Sequence, residues 1–168
     1  MSSTIIVRDS TAADVDAITS IYAGHVLQGT GSFELAPPSV SEIAARREEI
    51  LRRGLPWLVA EVNGVVVGYA YAGPFRAREA YRFTVEDSVY VKPEASGKGV
   101  GRALLMRLIE VCRAGGYKQL IALIGDSDNT ASIRVHERCG FQHAGKLKDV
   151  GVKFDRFLDV VLMQIDLS

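Results

Sequence analysis

The chain has 168 residues, 48% hydrophobic and 24% charged, which fits one globular domain spanning 1–168 and excludes wholesale disorder. Its twenty basic and twenty acidic side chains cancel, so no global field draws it onto nucleic acid or an anionic membrane, and any anion site must be local. Cys112 and Cys139 form no CxxC pair and read as reduced, buried thiols, and no apolar run approaches the ~20 residues needed to span a bilayer, so a cytoplasmic protein is expected.

Residues 4–8 carry a β-branched run, too short and too poorly flanked for a signal peptide, and read as an opening or edge strand. Thr11 and Asp14 have capping-box spacing before a helix whose Val15, Ile18, Tyr22 and Val26 fall on one face. Residues 28–38 break that period with glycines and Pro37-Pro38 and leave Phe33 in an irregular segment suited to covering a pocket. Ser39 and Glu42 repeat the capping box at the start of a helix whose mixed charges, Arg46 to Glu49, read as a solvated face, ending near Gly54.

Residues 57–62 and 65–72 flank Asn63-Gly64, whose positive φ angles suit a type I′ turn, so an antiparallel hairpin is predicted. Residues 75–82 are basic, aromatic and irregular. Residues 83–91 read as a strand with Glu86, Ser88 and Tyr90 on one side and Val85, Asp87, Val89 and Val91 on the other. Asp87 spoils the apolar side, and a bulge beside it is the expected remedy.

Val100, Leu104, Leu105, Leu108, Ile109 and Cys112 predict a helix ending near Gly115-Gly116. Residues 120–124 are nearly all apolar, as in an interior strand covered on both faces. Asp128-Asn129 is placed to cap a helix through Cys139, with Gly140 as terminator, and residues 142–151 and 157–167 predict a final strand pair joined by 152–156.

Gly97, Gly99 and Gly101 alternate just before a helix, where bare backbone and unpaired N–H groups favour an anion such as pyrophosphate. Lys98 is followed by Gly99 rather than Ser or Thr, against a Walker A loop, and the dinucleotide fingerprint is also absent. The local pattern alone is equally compatible with a ligand-free strand-to-helix turn. It resembles the Q/R-x-x-G-x-G/A loop of the GNAT N-acetyltransferase superfamily, with Gly99 and Gly101 at the glycines and Ser96 replacing the leading Gln or Arg. Asn129, Gly140 and Phe141 match the family's N-x-x-A-x-x-L-Y-x-x-x-G-F segment, in which Ser132, Val135 and His136 replace Ala, Leu and Tyr. His136, residues 56–61, 71–74 and 84–86 resemble the phosphinothricin and methionine sulfoximine acetyltransferase branch.

The resemblance implies a GNAT α/β fold: a mixed, mostly antiparallel sheet of about seven strands splayed at residues 83–91 and flanked by about four helices. It implies acetyl-CoA as co-substrate, with no metal. Backbone groups of Val89, Tyr90 and Val91 would pair with pantetheine and polarise the thioester; Gly97, Lys98, Gly99, Val100, Gly101 and Arg102 would hold the pyrophosphate; Asn129 and Arg138 would complete the cofactor side. Glu86 is the implied general base for an amine acceptor and His136 the proton donor to the departing sulfur. Read locally, the first is an ordinary strand glutamate and the second a packing histidine. Phe33, Arg76, Arg78, Glu79, Ala80, Tyr81 and Ser88 are implied at the acceptor, with Lys153 and Phe154 reaching the partner's acceptor in a homodimer. The acceptor expected is a small amino-acid analogue: methionine sulfoximine, methionine sulfone or phosphinothricin. A polyamine, an aminoglycoside or a protein N-terminus within the same fold, or a non-catalytic acyl-CoA sensor, stays open.

Overall fold

A computed structural model describes residues 3–168. Its strands are β1 (Ile5–Asp9), β2 (Trp57–Val62), β3 (Val65–Pro74), β4 (Thr84–Val91), β5 (Gln119–Gly125), β6 (Gln142–Lys153) and β7 (Arg156–Asp166). They form one sheet in the order β1-β2-β3-β4-β5-β7-β6, with β4–β5 the parallel pair and the others antiparallel. The helices are α1 (Val15–Gln28), α2 (Val40–Arg52), α3 (Val100–Ala114) and α4 (Thr130–Arg138). This is the mixed α/β GNAT architecture, and none of its helices is long and apolar enough to cross a membrane.

Local signals account for most boundaries. Asp14 accepts Thr11 N–H at 2.7 Å and two Arg8 guanidinium bonds at 2.8 and 2.9 Å, tying the entry of α1 to the edge strand. Arg8 is the main reason this carboxyl titrates below its ordinary range. Val15, Ile18, Tyr22 and Val26 are all buried, as their spacing predicts. Ser39 Oγ accepts Glu42 N–H at 3.1 Å and starts α2. Asn63 and Gly64 adopt φ of 52° and 78° between β2 and β3, the conformation of a type I′ turn. Leu104, Leu105 and Leu108 of α3 are fully buried against the sheet.

Four expectations need correction. The charged face of α2 is not simply solvated, because Arg46 binds Glu34 at 2.6 Å and Arg47 binds Ser10 at 2.8 Å, both tethering neighbouring loops. β5 is covered on one face only: Leu120, Ala122 and Ile124 are buried, whereas Leu123 on the other face is 39% exposed. β6 and β7 are joined by Phe154-Asp155 alone, both at positive φ, so 152–153 and 156 belong to strands. No bulge relieves Asp87, since β3 and β4 pair without a register shift from Gly68–Val91 to Pro74–Val85. The buried charge is paired with His136 across the fold instead.

Leu105 is fully buried on α3. Leu105→Ala is expected to lower the unfolding free energy by about 2–5 kcal/mol through lost burial and a residual cavity, measured by urea denaturation.

Candidate active site

The site begins where β4 loses a partner. β4 pairs with β3 along its length but with β5 only at Thr84–Glu86, opposite Gln119–Ile121. Beyond Glu86 the two strands diverge and a cleft of about 790 Å³ opens between them. Thr84 C=O accepts from Phe75 N–H and Phe83 C=O from Lys118 N–H, which places the even-numbered backbone groups toward β3 and the odd-numbered ones away from it. Asp87, Val89 and Val91 therefore turn their main-chain groups toward the opening. His25, to which the sequence assigned no role, donates Nε2–H to Val91 C=O at 2.8 Å and closes that end of the strand. A carbonyl can only accept, so Nε2 carries the proton.

The glycine loop meets the cleft at the start of α3. Gly97 and Gly99 have φ of 74° and 88°, a region where a β-carbon is strained, and Gly99 is the N-cap of the helix. Gly97, Gly99, Val100, Gly101 and Arg102 line the cleft, and Lys98 is exposed outside that lining. Glycine backbone at a helix N-terminus is suited to a pyrophosphate. On the opposite wall Asn129 caps α4, its side-chain oxygen accepting Ser132 N–H at 3.4 Å, and Arg138 lines the cleft near the other end of that helix. Val89, Tyr90 and Val91 complete the lining.

Two consecutive carboxylates face different surroundings. Glu86 lines the cleft, and burial, together with the negative charge of Asp87, pushes its pKa from 4.5 up to about 7, with the Arg76 guanidinium pulling the other way. Asp87 is buried and its carboxylate lies 3.0 and 3.2 Å from His136 Nε2. His136 Nδ1 sits 2.7 Å from Ser132 C=O and must be the donor there, so Asp87 and Nε2 share the remaining proton. Burial works to lower the His136 pKa, but the Asp87 charge and hydrogen bond and the Ser132 carbonyl together raise it. Phe141 packs edge-on against the imidazole. Cys112 is no candidate nucleophile, because burial and the Asp87 charge push its thiol up to about 12.

The loop between α1 and α2 supplies the remaining wall through residues 29–33, including Phe33. Tyr22 OH bonds both Ser32 Oγ and Glu34 at 2.7 Å, and Arg46 holds Glu34. Arg46, chiefly, and Tyr22 keep the Glu34 carboxyl below its ordinary range. Ser88 lines the cleft and bonds the Tyr71 hydroxyl.

The other expected acceptor residues are not gathered into the cleft. Arg76 is exposed and stacked over Phe75 at 4.9 Å, and Arg78, Glu79, Ala80 and Tyr81 are exposed on the segment that follows. Lys153 does not reach outward toward a partner; it is buried and donates Nζ–H to Ser32 C=O of its own chain at 2.8 Å. Burial lowers its pKa against the opposing Glu34 charge. Phe154 is exposed at the β6–β7 turn. Among the described residues, no group of three or more His, Cys, Asp and Glu is arranged to hold a metal.

Residues 22–141 match the model of the acetyltransferase (GNAT) family. Over 163 residues the chain is 56% identical to a phosphinothricin N-acetyltransferase of Alcaligenes faecalis, covering 97% of this chain and 81% of that protein. It is 43% identical over 162 residues to an L-methionine sulfoximine/L-methionine sulfone acetyltransferase of Salmonella typhimurium, covering 96% and 94% respectively. The crystal structure of a GNAT superfamily phosphinothricin acetyltransferase from Sinorhizobium meliloti in complex with acetyl-CoA superposes with a TM-score of 0.94 at 46% identity, covering 100% of this chain and 90% of that one.

The electrostatics of the cleft can be tested apart from those relatives. Arg76 opposes the upward shift of Glu86, so Arg76→Ala should move the Glu86 titration midpoint above about 7. Carboxyl-carbon NMR of labelled protein reads the midpoint directly, and an unmoved or lowered value would contradict the assignment.

Proposed function

The chain belongs to the GNAT acetyltransferase family and is an acetyl-CoA-dependent N-acetyltransferase of the phosphinothricin and methionine sulfoximine type, and within that class we propose that Glu86 is the general base toward the α-amine of a small amino-acid analogue. The acceptors proposed are L-methionine sulfoximine, L-methionine sulfone and phosphinothricin. The observation that carries the reading is a carboxylate in the cleft whose pKa is raised to about 7, near the pH at which a base must both accept a proton and be free to do so.

Acetyl-CoA supplies the acetyl group as an activated thioester. Gly97, Gly99, Val100, Gly101 and Arg102 would hold its pyrophosphate, and the free main-chain groups of Asp87 and Val89 its pantetheine, as one strand holds another. Val91 contributes less, because His25 already occupies its carbonyl. Glu86 takes the proton that leaves the acceptor nitrogen, directly or through water. The Asp87–His136 pair holds a proton at Nε2 beside the same cleft, available for the departing sulfur. Arg76, already close enough to act on Glu86, would attract the anionic end of the acceptor, with Arg78, Glu79, Ala80 and Tyr81 forming the outer rim.

A homodimer is proposed from the hairpin at the sheet edge, where Leu147, Val150, Val152, Phe154 and Phe157 are all exposed. The buried, free thiols of Cys112 and Cys139 suit a reducing cytoplasm.

Glu86→Gln should reduce turnover of methionine sulfoximine by about 100-fold or more with acetyl-CoA affinity near normal. In the unsubstituted enzyme kcat/KM should rise with pH through about 7, since protonated Glu86 below that pH cannot accept a proton and ionised Glu86 above it can. Full turnover by Glu86→Gln, or an ascending limb that persists in it, removes Glu86 from the role. For the assembly, Phe157→Glu should halve the mass seen by sedimentation equilibrium; a monomeric parent protein would end that part of the proposal.

A further inference from the structure

The loop over the acceptor side of the cleft is seated at the end of β5 by one dipeptide, Gly125-Asp126. A β-carbon on Gly125 would lie 2.6 Å from Thr30 C=O and 2.8 Å from the Phe33 ring, so the loop rests directly on that backbone. Gly151 of β6 leaves the matching space on the other side of the ring, where a β-carbon would clash with Phe33. Asp126 is 8% exposed, and its φ of 73° is a left-handed value uncommon outside glycine and tolerated best by Asn and Asp.

That conformation turns the side chain into a junction. Asp126 Oδ2 accepts Thr30 Oγ–H at 2.7 Å from the α1–α2 loop and an Arg156 guanidinium N–H at 3.4 Å from β7. Oδ1 accepts Asp128 N–H at 3.0 Å, and Asp126 C=O accepts Asn129 N–H at 3.0 Å, fixing the turn that leads into α4. Its own N–H donates to Asp159 C=O at 2.8 Å. Thr30 and Phe33 line the acceptor side of the cleft and Asn129 its cofactor side, and all three are referred to this one residue.

We propose that Asp126 is a positioning residue for acetyl transfer: through Thr30 it sets the loop that receives the acceptor, and through the Asp128-Asn129 turn it holds that loop in register with the cofactor side. The inference rests on the assignment of that cleft to acetyl-CoA and a small amine. It makes no contact between Asp126 and either substrate.

Three variants separate the two arms. Thr30→Val keeps the shape of the side chain and removes only the loop arm. Its KM for methionine sulfoximine should rise about tenfold, the scale of one hydrogen bond to a charged group, while the Kd for acetyl-CoA measured by calorimetry changes less than about twofold. Asp126→Ala removes both arms and should raise both constants. Asp126→Asn keeps an acceptor for Thr30 and suits the left-handed backbone, so it should stay within about threefold of the parent in both. Amide hydrogen exchange across residues 29–33 should quicken about tenfold in Thr30→Val with α3 unchanged. An unchanged acceptor KM and unchanged exchange in Thr30→Val overturn the proposal, as does an Asp126→Asn protein as impaired as Asp126→Ala. If the parent enzyme acetylates no amino-acid analogue, the reading of the reaction fails by itself, and the exchange measurement still decides whether Asp126 and Thr30 hold the loop.

Discussion

The hydrogen-bonding demand of β4 is the constraint from which the rest of the site follows. One side of the strand is satisfied by β3 throughout, and the other by β5 for only three residues. Main-chain donors and acceptors left inside a protein need partners. Here the protein supplies one, His25 on Val91 C=O, and leaves the rest facing the cleft, where an extended ligand with amide groups can take the place of a strand. The cofactor side of a transferase is in this sense an unfinished sheet, and the glycine loop at the start of α3 extends the same principle from amides to phosphates.

Glu86 and Asp87 show how environment divides labour between chemically similar neighbours. Strand alternation sends them to opposite faces, so they cannot share a partner. Asp87 meets His136, with both ring nitrogens engaged, and the pair is buried and satisfied. Glu86 is left in the cleft without such a partner, and the negative charge beside it adds to burial in raising its pKa. The residue that breaks the apolar face of the strand is thus the one that tunes its neighbour for proton transfer, which is a reason for a carboxylate at position 87 that packing alone does not provide.

Features written in short stretches of sequence were legible: the Asn63-Gly64 hairpin, the buried face of α1, the caps at Ser39 and Asn129, and the glycine loop before α3. Those that depend on distant partners were not. Asp87 looked like a strand defect calling for a bulge because His136, which answers its charge, lies 49 residues away. The β6–β7 turn carries no glycine, since Phe154 and Asp155 take positive φ themselves, and so Lys153 was assigned to a loop rather than to a buried strand end. Arg76 and Arg78 entered through resemblance, and the fold leaves both exposed at the rim rather than inside the cleft. A paired Asp on an otherwise apolar strand, together with a His on a downstream amphipathic helix, is the signal that would have found the Asp87–His136 contact.

The two sides of the cleft are built from different materials, and this bears on how such an enzyme can change acceptors. The cofactor side relies on main-chain groups of β4 and of the loop at Gly97 and Gly99, which most side-chain substitutions leave in place. The acceptor side is a loop held by side chains: Tyr22 and Lys153 at Ser32, Arg46 at Glu34, and Asp126 at Thr30. Lys153 is the telling case, because a buried ammonium loses hydration that one carbonyl and the nearby Glu34 charge only partly replace. Its depressed pKa records that cost, and what the contact secures is the position of the loop relative to β6. A few substitutions among these side chains can therefore reshape the acceptor pocket while the machinery for acetyl-CoA stays intact, so members of one fold can differ in acceptor and agree in cofactor.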